Sequence, residues 1–562
     1  MYLAFSSFLL APAVSANQAG TIFINGEIMT PGGWAEALAV RDGVIVAVGT
    51  KEDVLSEVTG SGKVMDLQGR AVLPGLYDMH VHAFFAGQKK RACSLPGSAK
   101  AKAIVDAVKA CVANAKAGEW VTGGSWVGAS FAPGEQNKRL LDAVSPDNPV
   151  VLTDESLHSV WANSKALQLA GITRDTPDPE GGVIDRDSRG EPTGVLRETA
   201  GRAVMDSLPA AELATQLADI KAATDEMLSY GIVAFTDASI RNNYVAGMSE
   251  YARSGGLRQY ARGCMVWGPN SDGSESLITL RQQYSAGRLR LDCVKLFLDG
   301  VPIESHTAAM LEPYVTRNDD DQAHAGGEDR GMLMIPQDKL NNAVAEFDRQ
   351  GLEIKFHAAG DAAVRAAIDA IEHARASNGH GGPRHHVGHN TFVDPADLPR
   401  SRELGFAWEF SPYIWYPTPI TSTDIMNAVG PQRIERLWPI KDALDTGALV
   451  TAGSDWPVVP SVNPWLGIET LVSRQVPGAT GAPIGEGQRI TVEQALQVFT
   501  RNGAALMGRL DKGGTIEVGK LADLIVLDRN PVKIATGQIH ETRVLHTFIA
   551  GEEVYSAPTR GK

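Results

Sequence analysis

Residues 353–374 read EIKFHAAGDAAVRAAIDAIEHA. The run Glu353–His357 is short, apolar on alternate positions and ends on a histidine. A Gly-Asp pair follows, and Asp361 can cap a helix, because Val364, Ile368 and Ile371 then recur at helical spacing. The segment predicts a strand, a tight turn and a helix. Comparable apolar runs occur at Leu76–His82, Gly231–Thr236, Gln259–Trp267, Val294–Leu298, His385–His389, Phe406–Phe410 and Leu449–Ser454, several with helical patterns behind them. Eight strands alternating with helices predict an α/β fold, a TIM-like (β/α)8 barrel. Two more strand-like runs, WVTGGSW (120–126) and PVVLTDES (149–156), do not fit that count. They fall in a stretch from about 90 to 215, which is assigned to a subdomain inserted after the first barrel strand.

Outward from the barrel, both chain ends look like β-structure. TIFINGEIMT (21–30) carries an Asn-Gly pair between apolar runs, and ALAVRDGVIVAVGT (37–50) an Asp-Gly pair; each predicts a hairpin. GGTIEVGKLADLIVLD (513–528) and RVLHTFIAGEEVYS (543–556) are strand-like too. Residues 20–73 and 508–556 are therefore expected to form one small composite β-sandwich, with 74–507 as the barrel. Residues 1–16, MYLAFSSFLLAPAVSA, have a short apolar run and a small-residue ending, and are read as a signal peptide. That implies a secreted or periplasmic protein; without it the chain would be cytoplasmic.

The 562 residues include 52 Lys and Arg against 66 Asp and Glu, a formal charge of −14. Without a basic block, such a chain is poorly suited to nucleic acid or to an anionic membrane. The cysteines, Cys93, Cys111, Cys264 and Cys293, are scattered without a CxxC, so buried thiols are expected and no disulfide framework.

Barrel enzymes work at the C-terminal ends of their strands. The first run ends His80-Val-His82, whose side chains share a face. Two imidazoles there are a natural pair of metal ligands. The fifth run ends at His357, the sixth at His389, and the eighth leads into Asp455. In the fourth run Lys295, Phe297 and Asp299 share the inward face. The Lys295 amine, if carboxylated by carbon dioxide, becomes a long carboxylate able to bridge two metals; an ion pair with Asp299 is the alternative. Lys355 also points inward and is the second candidate bridge. His386, of opposite parity to His389, is expected to face the helices and is the alternative sixth-strand ligand. Trp126, Trp415, Trp456 and Trp465 could line a pocket, although core packing is the plainer expectation for each. The charged stretch Asp185 to Glu198 is either a solvated loop or a lid. His158 and His306 have no assigned role.

VLPGLYDMHVH (72–82), VKLFLDG (294–300), KFHAAGDAAV (355–364), RHHVGHN (384–390) and TAGSDWP (451–457) resemble the amidohydrolase superfamily. With WANSKAL, GGVIDRDSRGEPTGVLRE and NPW, the likeness is closer to its family-3 branch, the N-substituted formamide deformylase-like hydrolases. It runs from about residue 20 to 555. The resemblance implies a metal-dependent hydrolase with His80, His82, His357 and His389 as ligands, carboxylated Lys295 as bridge, and Asp455 as ligand and proton acceptor. The family usually has an acidic residue before the sixth-strand histidine, where this chain has Gly388. The expected cofactors are two divalent ions, zinc by the nature of the donors. The expected partner is a small amide cleaved at an N-acyl or N-formyl bond, and a homodimer is the expected assembly. A lactonase, cyclic amidase or deaminase would use the same scaffold. A non-enzymatic regulatory protein on a dead scaffold would have lost ligands, and this chain keeps all six.

Overall fold

Apolar runs buried on both faces pair side by side to build the barrel. Its strands are β1 (Leu76–Val81), β2 (Ile232–Ile240), β3 (Tyr260–Val266), β4 (Leu289–Phe297), β5 (Glu353–Ala358), β6 (His386–His389), β7 (Ala407–Phe410) and β8 (Leu449–Ala452). Each pairs in parallel with the next in sequence. The computed structural model describes residues 20–558 except 58–61, 97–99, 129–130, 133, 155–157, 180, 270, 272, 304–305, 316–327 and 415–419. The expected signal peptide and Trp415 lie outside the described residues.

Closure comes from the chain just past β8. The Asp455 N–H donates to the His80 carbonyl at 2.7 Å, and the His82 N–H donates to the Trp456 carbonyl at 2.8 Å. Every residue of β1 and β2 is buried, as expected for parallel strands with helices outside and packed side chains within. The helix Asp361–Asn378 buries Val364, Ile368 and Ile371, the periodic positions read from the sequence. Asp361 does not cap it. Gly360 is the N-cap, and the Asp361 carboxylate accepts the Leu311 N–H at 2.7 Å instead, tying the helix to a neighbouring loop.

Gly453 marks the seam between β8 and β1. A Cβ there would lie 2.3 Å from the His80 Cβ and 2.4 Å from the His80 nitrogen. Gly453→Ala is therefore expected to lower stability by about 1–3 kcal/mol, the usual cost of overpacking, and to displace His80. A urea midpoint matching the wild type would contradict this.

Both chain ends share one six-stranded sheet, in the order Glu552–Ser556, Val544–Ile549, Leu524–Leu527, Ala71–Pro74, Glu27–Thr30, Gly33–Ala35. A second sheet holds Val44–Gly49, Ala37–Arg41, Thr21–Ile24 and Lys63–Asp66. Phe23, Leu38, Ile45, Val72, Leu524 and Phe548 pack together in one apolar core. The Asp42-Gly43 hairpin forms, with φ of 50° and 79°. The Asn25-Gly26 hairpin does not. Thr21–Ile24 and Glu27–Thr30 belong to different sheets, so this turn carries the chain between layers.

Within WVTGGSW and PVVLTDES, Val121–Trp126 and Val150–Asp154 form adjacent parallel strands in a separate six-stranded sheet. The expectation of free thiols is corrected: Cys93 is joined to Cys111, and Cys264 to Cys293. Cys264 and Cys293 are registered opposite each other on β3 and β4. That pairing depends on strand register, which linear spacing does not reveal.

Candidate active site

His80 and His82 leave β1 on the same side, and Asp455 meets them from beyond β8. Asp455 Oδ1 lies 3.5 Å from His80 Nε2 and 3.2 Å from His82 Nε2. These three buried residues place their donor atoms within 4.8 Å of one another. His389 Nδ1 is 3.8 Å from Asp455 Oδ2, its ring centroid is 4.7 Å from that of His80, and the His357 ring is 4.3 Å further on. Lys295 reaches the same cavity, its Nζ 4.9 Å from the Phe297 ring. All six residues named from the sequence thus line one cavity.

Hydrogen bonds fix which imidazole nitrogens keep a lone pair. His80 Nδ1 donates to Glu409 Oε1 at 2.6 Å, leaving Nε2 towards Asp455. His357 Nε2 donates to the Gly300 carbonyl at 3.0 Å, leaving Nδ1. His80 Nε2 and His389 Nε2 are buried without a hydrogen-bond partner. Burial, followed by the charges of Lys295 and Lys355, pushes the His80 imidazole down to about 3. Burial, then neighbouring imidazoles, takes His357 and His389 well below the usual histidine range. Neutral imidazoles with unshared nitrogens suit a divalent cation. Burial opposes the Asp455 charge, yet His80, His82 and Lys295 hold its carboxyl well below the usual range.

Glu409, on β7, anchors the opposite side of His80. It accepts from His80, from His386 Nδ1 at 2.7 Å and from Lys355. A Cβ at Gly388 would come within 3.2 Å of Glu409 Oε1. A larger residue before His389 would therefore crowd the carboxylate that arrives from the next strand. Burial works against the Glu409 charge, but Lys355, His80 and His386 keep the carboxyl well below its ordinary value. The Lys355 ammonium also donates to the Met79 carbonyl at 2.9 Å, so it is committed away from Asp455.

His386 does not face the helices as expected. It lies inside the barrel between Glu409 and Glu353, 3.1 Å from the latter. The alternation breaks at His389, whose φ of 72° swings that side chain inward although its neighbours' parity would send it out. No Lys295–Asp299 pair forms. Asp299 accepts the N–H groups of Ala309, Ala359 and Gly360, at 3.0, 3.0 and 2.8 Å.

The inserted subdomain contributes a pair that sequence reading left without a role. His158 Nδ1 lies 2.7 Å from Glu198 Oε2, and its ring is 4.9 Å from that of His357. Burial would lower the His158 pKa, but Glu198 outweighs it and lifts the imidazole to about 9. Glu198 itself has a φ of 51°, at the end of a hairpin built from Gly182–Arg186 and Pro192–Glu198. The stretch read as loop or lid is this hairpin. Its signal in the sequence was the run ending in Glu198, but nothing there linked it to a histidine 40 residues earlier. His306 instead pairs with Asp329 at 2.9 Å and stacks on Tyr314. Trp126, Trp456 and Trp465 are buried core residues outside the cavity lining, whose apolar wall is Phe84, Phe85, Met205, Leu208 and Phe297.

The chain is 28% identical over 540 residues to the protein named "Putative amidohydrolase YtcJ" of Bacillus subtilis (strain 168), covering 94% of this chain and 97% of that one. It is 28% identical over 541 residues to the N-substituted formamide deformylase of Arthrobacter pascens, covering 92% and 94%. An uncharacterized metal-dependent hydrolase from Pyrococcus furiosus superposes with a TM-score of 0.68 at 25% identity, over 91% of this chain and all of that one. Residues 63–555 match the model described as "Amidohydrolase family", and with that match over most of its length the chain belongs to the amidohydrolase family.

Proposed function

We propose that this protein is a metal-dependent hydrolase that cleaves a non-peptide carbon–nitrogen bond, an N-acyl or N-formyl amide, with water. The observation that carries this is the convergence of His80 Nε2, His82 Nε2 and His389 Nδ1 on the Asp455 carboxylate, with His357 beside them. These five residues and Lys295 would hold two divalent ions, zinc by donor type. Such ions supply Lewis acidity, polarising a carbonyl and making water a nucleophile at neutral pH. Asp455 takes the proton of the attacking water and returns it to the leaving amine, so that amide and water become acid and amine. The formamide deformylase relative supports a formyl or small acyl group.

Lys295 is proposed as a carbamate. Burial and then the like charge of Lys355 bring its ammonium down to about 7, which leaves free amine to add carbon dioxide with loss of a proton. Among the described residues it has no carboxylate partner within 4.0 Å. Lys295→Ala is expected to bind fewer ions per chain, and short carboxylic acids to restore part of its activity. A metal-loaded crystal with a free ammonium at Lys295 would contradict this. Export from the cytoplasm is proposed as well, since two disulfides suit an oxidising compartment.

The test of the reaction is a screen of N-formyl and N-acyl amides for release of amine, with and without a chelator. Chelator-sensitive release is expected. Inert amides, with lactones, cyclic amides or aminated rings turned over instead, would move the assignment to those reactions.

A further inference from the structure

The cavity before the histidine cluster is lined by cationic side chains as well as by the carboxylates of Glu198, Asp206 and Asp455. Besides Lys295, it is lined by Lys89, Arg202 and Arg241. Lys89 is occupied, donating to the Pro457 carbonyl at 2.9 Å. The arginines are not. Among the described residues neither has a carboxylate within 4.0 Å, and Arg241 Nε is buried without a hydrogen-bond partner.

The two come from different elements. Arg202 lies on the helix Thr199–Asp206 of the inserted subdomain, and Arg241 immediately follows β2 and precedes the helix Asn242–Arg253. Burial and the nearby charge of Arg241 both disfavour the Arg202 guanidinium. Asp206, one turn along the same helix, is exposed, and Glu198 is already taken by His158 and Thr307. Two like charges half removed from water, aimed at one cavity, are costly unless an anion joins them. A planar guanidinium also matches the two oxygens of a carboxylate.

The position suits substrate binding. The Arg202 guanidinium is 5.8 Å from the Phe297 ring centroid, and that centroid is 5.7 Å from the His357 ring. The guanidinium can be no farther from His357 than these two steps together, so the arginine and the histidine cluster face the same stretch of cavity. Phe84, Phe85, Met205 and Leu208 form an apolar wall in the same cavity.

We propose that Arg202 and Arg241 bind a substrate carboxylate, so that the substrate is an amide bearing a carboxylate and an apolar group, as in an N-formyl or N-acyl amino acid. This deepens the amide-hydrolase reading and rests on it for the bond that is cleaved. A neutral N-substituted formamide would leave both arginines unanswered.

The experiment measures calorimetric binding to the zinc-loaded Asp455→Asn protein. The probes are racemic N-formylphenylalanine and N-formyl-2-phenylethylamine, which differ only by the carboxylate. The acid is expected to bind at least about tenfold more tightly, one good charge-assisted contact. In the same background Arg202→Gln and Arg241→Gln should each remove most of that preference and leave the neutral compound unchanged. Arg202→Lys, which keeps the charge without the fork, should retain part of it. Equal binding of the two probes, binding of neither, or a preference that survives both Gln substitutions would overturn the proposal. Hydrolysis by the otherwise wild-type protein is read separately. A protein that distinguishes the probes through its arginines but cleaves neither keeps the carboxylate site and loses the amide reading. One that cleaves both alike keeps the amide reading and loses the carboxylate site.

Discussion

Asp455→Asn is expected to fold, keep most of the proposed metal and turn over the proposed amide substrate about 10²–10⁴-fold more slowly, the usual worth of a general base. Asparagine suits the position in two respects. Its side chain is nearly isosteric, and it tolerates a positive φ, which is 62° here. The backbone N–H that closes the barrel on the His80 carbonyl is unaffected. What is lost is the ability to accept a proton. The wild-type rate should therefore fall at low pH, as the carboxylate and the activated water titrate together, and the variant should lose that limb at its lower plateau. Single-turnover kinetics at several pH values make the comparison. An Asp455→Asn protein that turns over the amide within about tenfold of the wild-type rate would mean that another group is the base.

Glu409→Leu is expected to destabilise the fold by about 3–5 kcal/mol, because it leaves the Lys355 charge buried without its partner. Glu409 and Lys355 are both fully buried, and His80 and His386 converge on the same carboxylate. Adding Lys355→Met should restore most of that stability, since an apolar pair of similar volume often replaces a buried ion pair without loss. It should not restore the metal site. Without Glu409 the His80 Nδ1–H has no acceptor to hold the ring, and metal affinity should drop roughly 10–100-fold in both variants. Denaturant unfolding measures the first effect and metal titration the second. The pH dependence follows in sign: the depressed Glu409 carboxyl contributes stability that is full above its ordinary pKa of about 4.3 and is lost progressively as pH falls from there through its lower folded-state value. The double variant should lack this contribution. A Glu409→Leu protein within about 1 kcal/mol of the wild type would refute the account of this network.

The barrel was legible because each strand is a short apolar run that ends on a turn, and this signal is local. The candidate site was partly legible for the same reason: His80 lies in β1 and His82 one residue past its end, and strand alternation carried over that residue sends both to one side. Readings failed where the answer lay between elements. Asn25-Gly26 has the composition of a hairpin turn, but its two strands pair in different sheets. His386 has outward parity only if β6 stays regular as far as His389, and it does not. The Cys264–Cys293 bond needs the register of β3 on β4. His158 and Glu198 become a pair through the fold of the inserted sheet, and neither carries a sign of the other in the chain. Asp361 looked like a cap and became the anchor of a loop, because a carboxylate at a helix start serves any nearby N–H.

The histidine cluster with Asp455 is proposed as a metal centre used for hydrolysis. Elemental analysis of the active protein, purified with divalent metal supplied, tests it most directly. About two ions per chain are expected, with activity lost on chelation and recovered when metal is returned. One ion per chain would remove Lys295 from the role of bridge. Fully active protein with no bound metal would contradict the account.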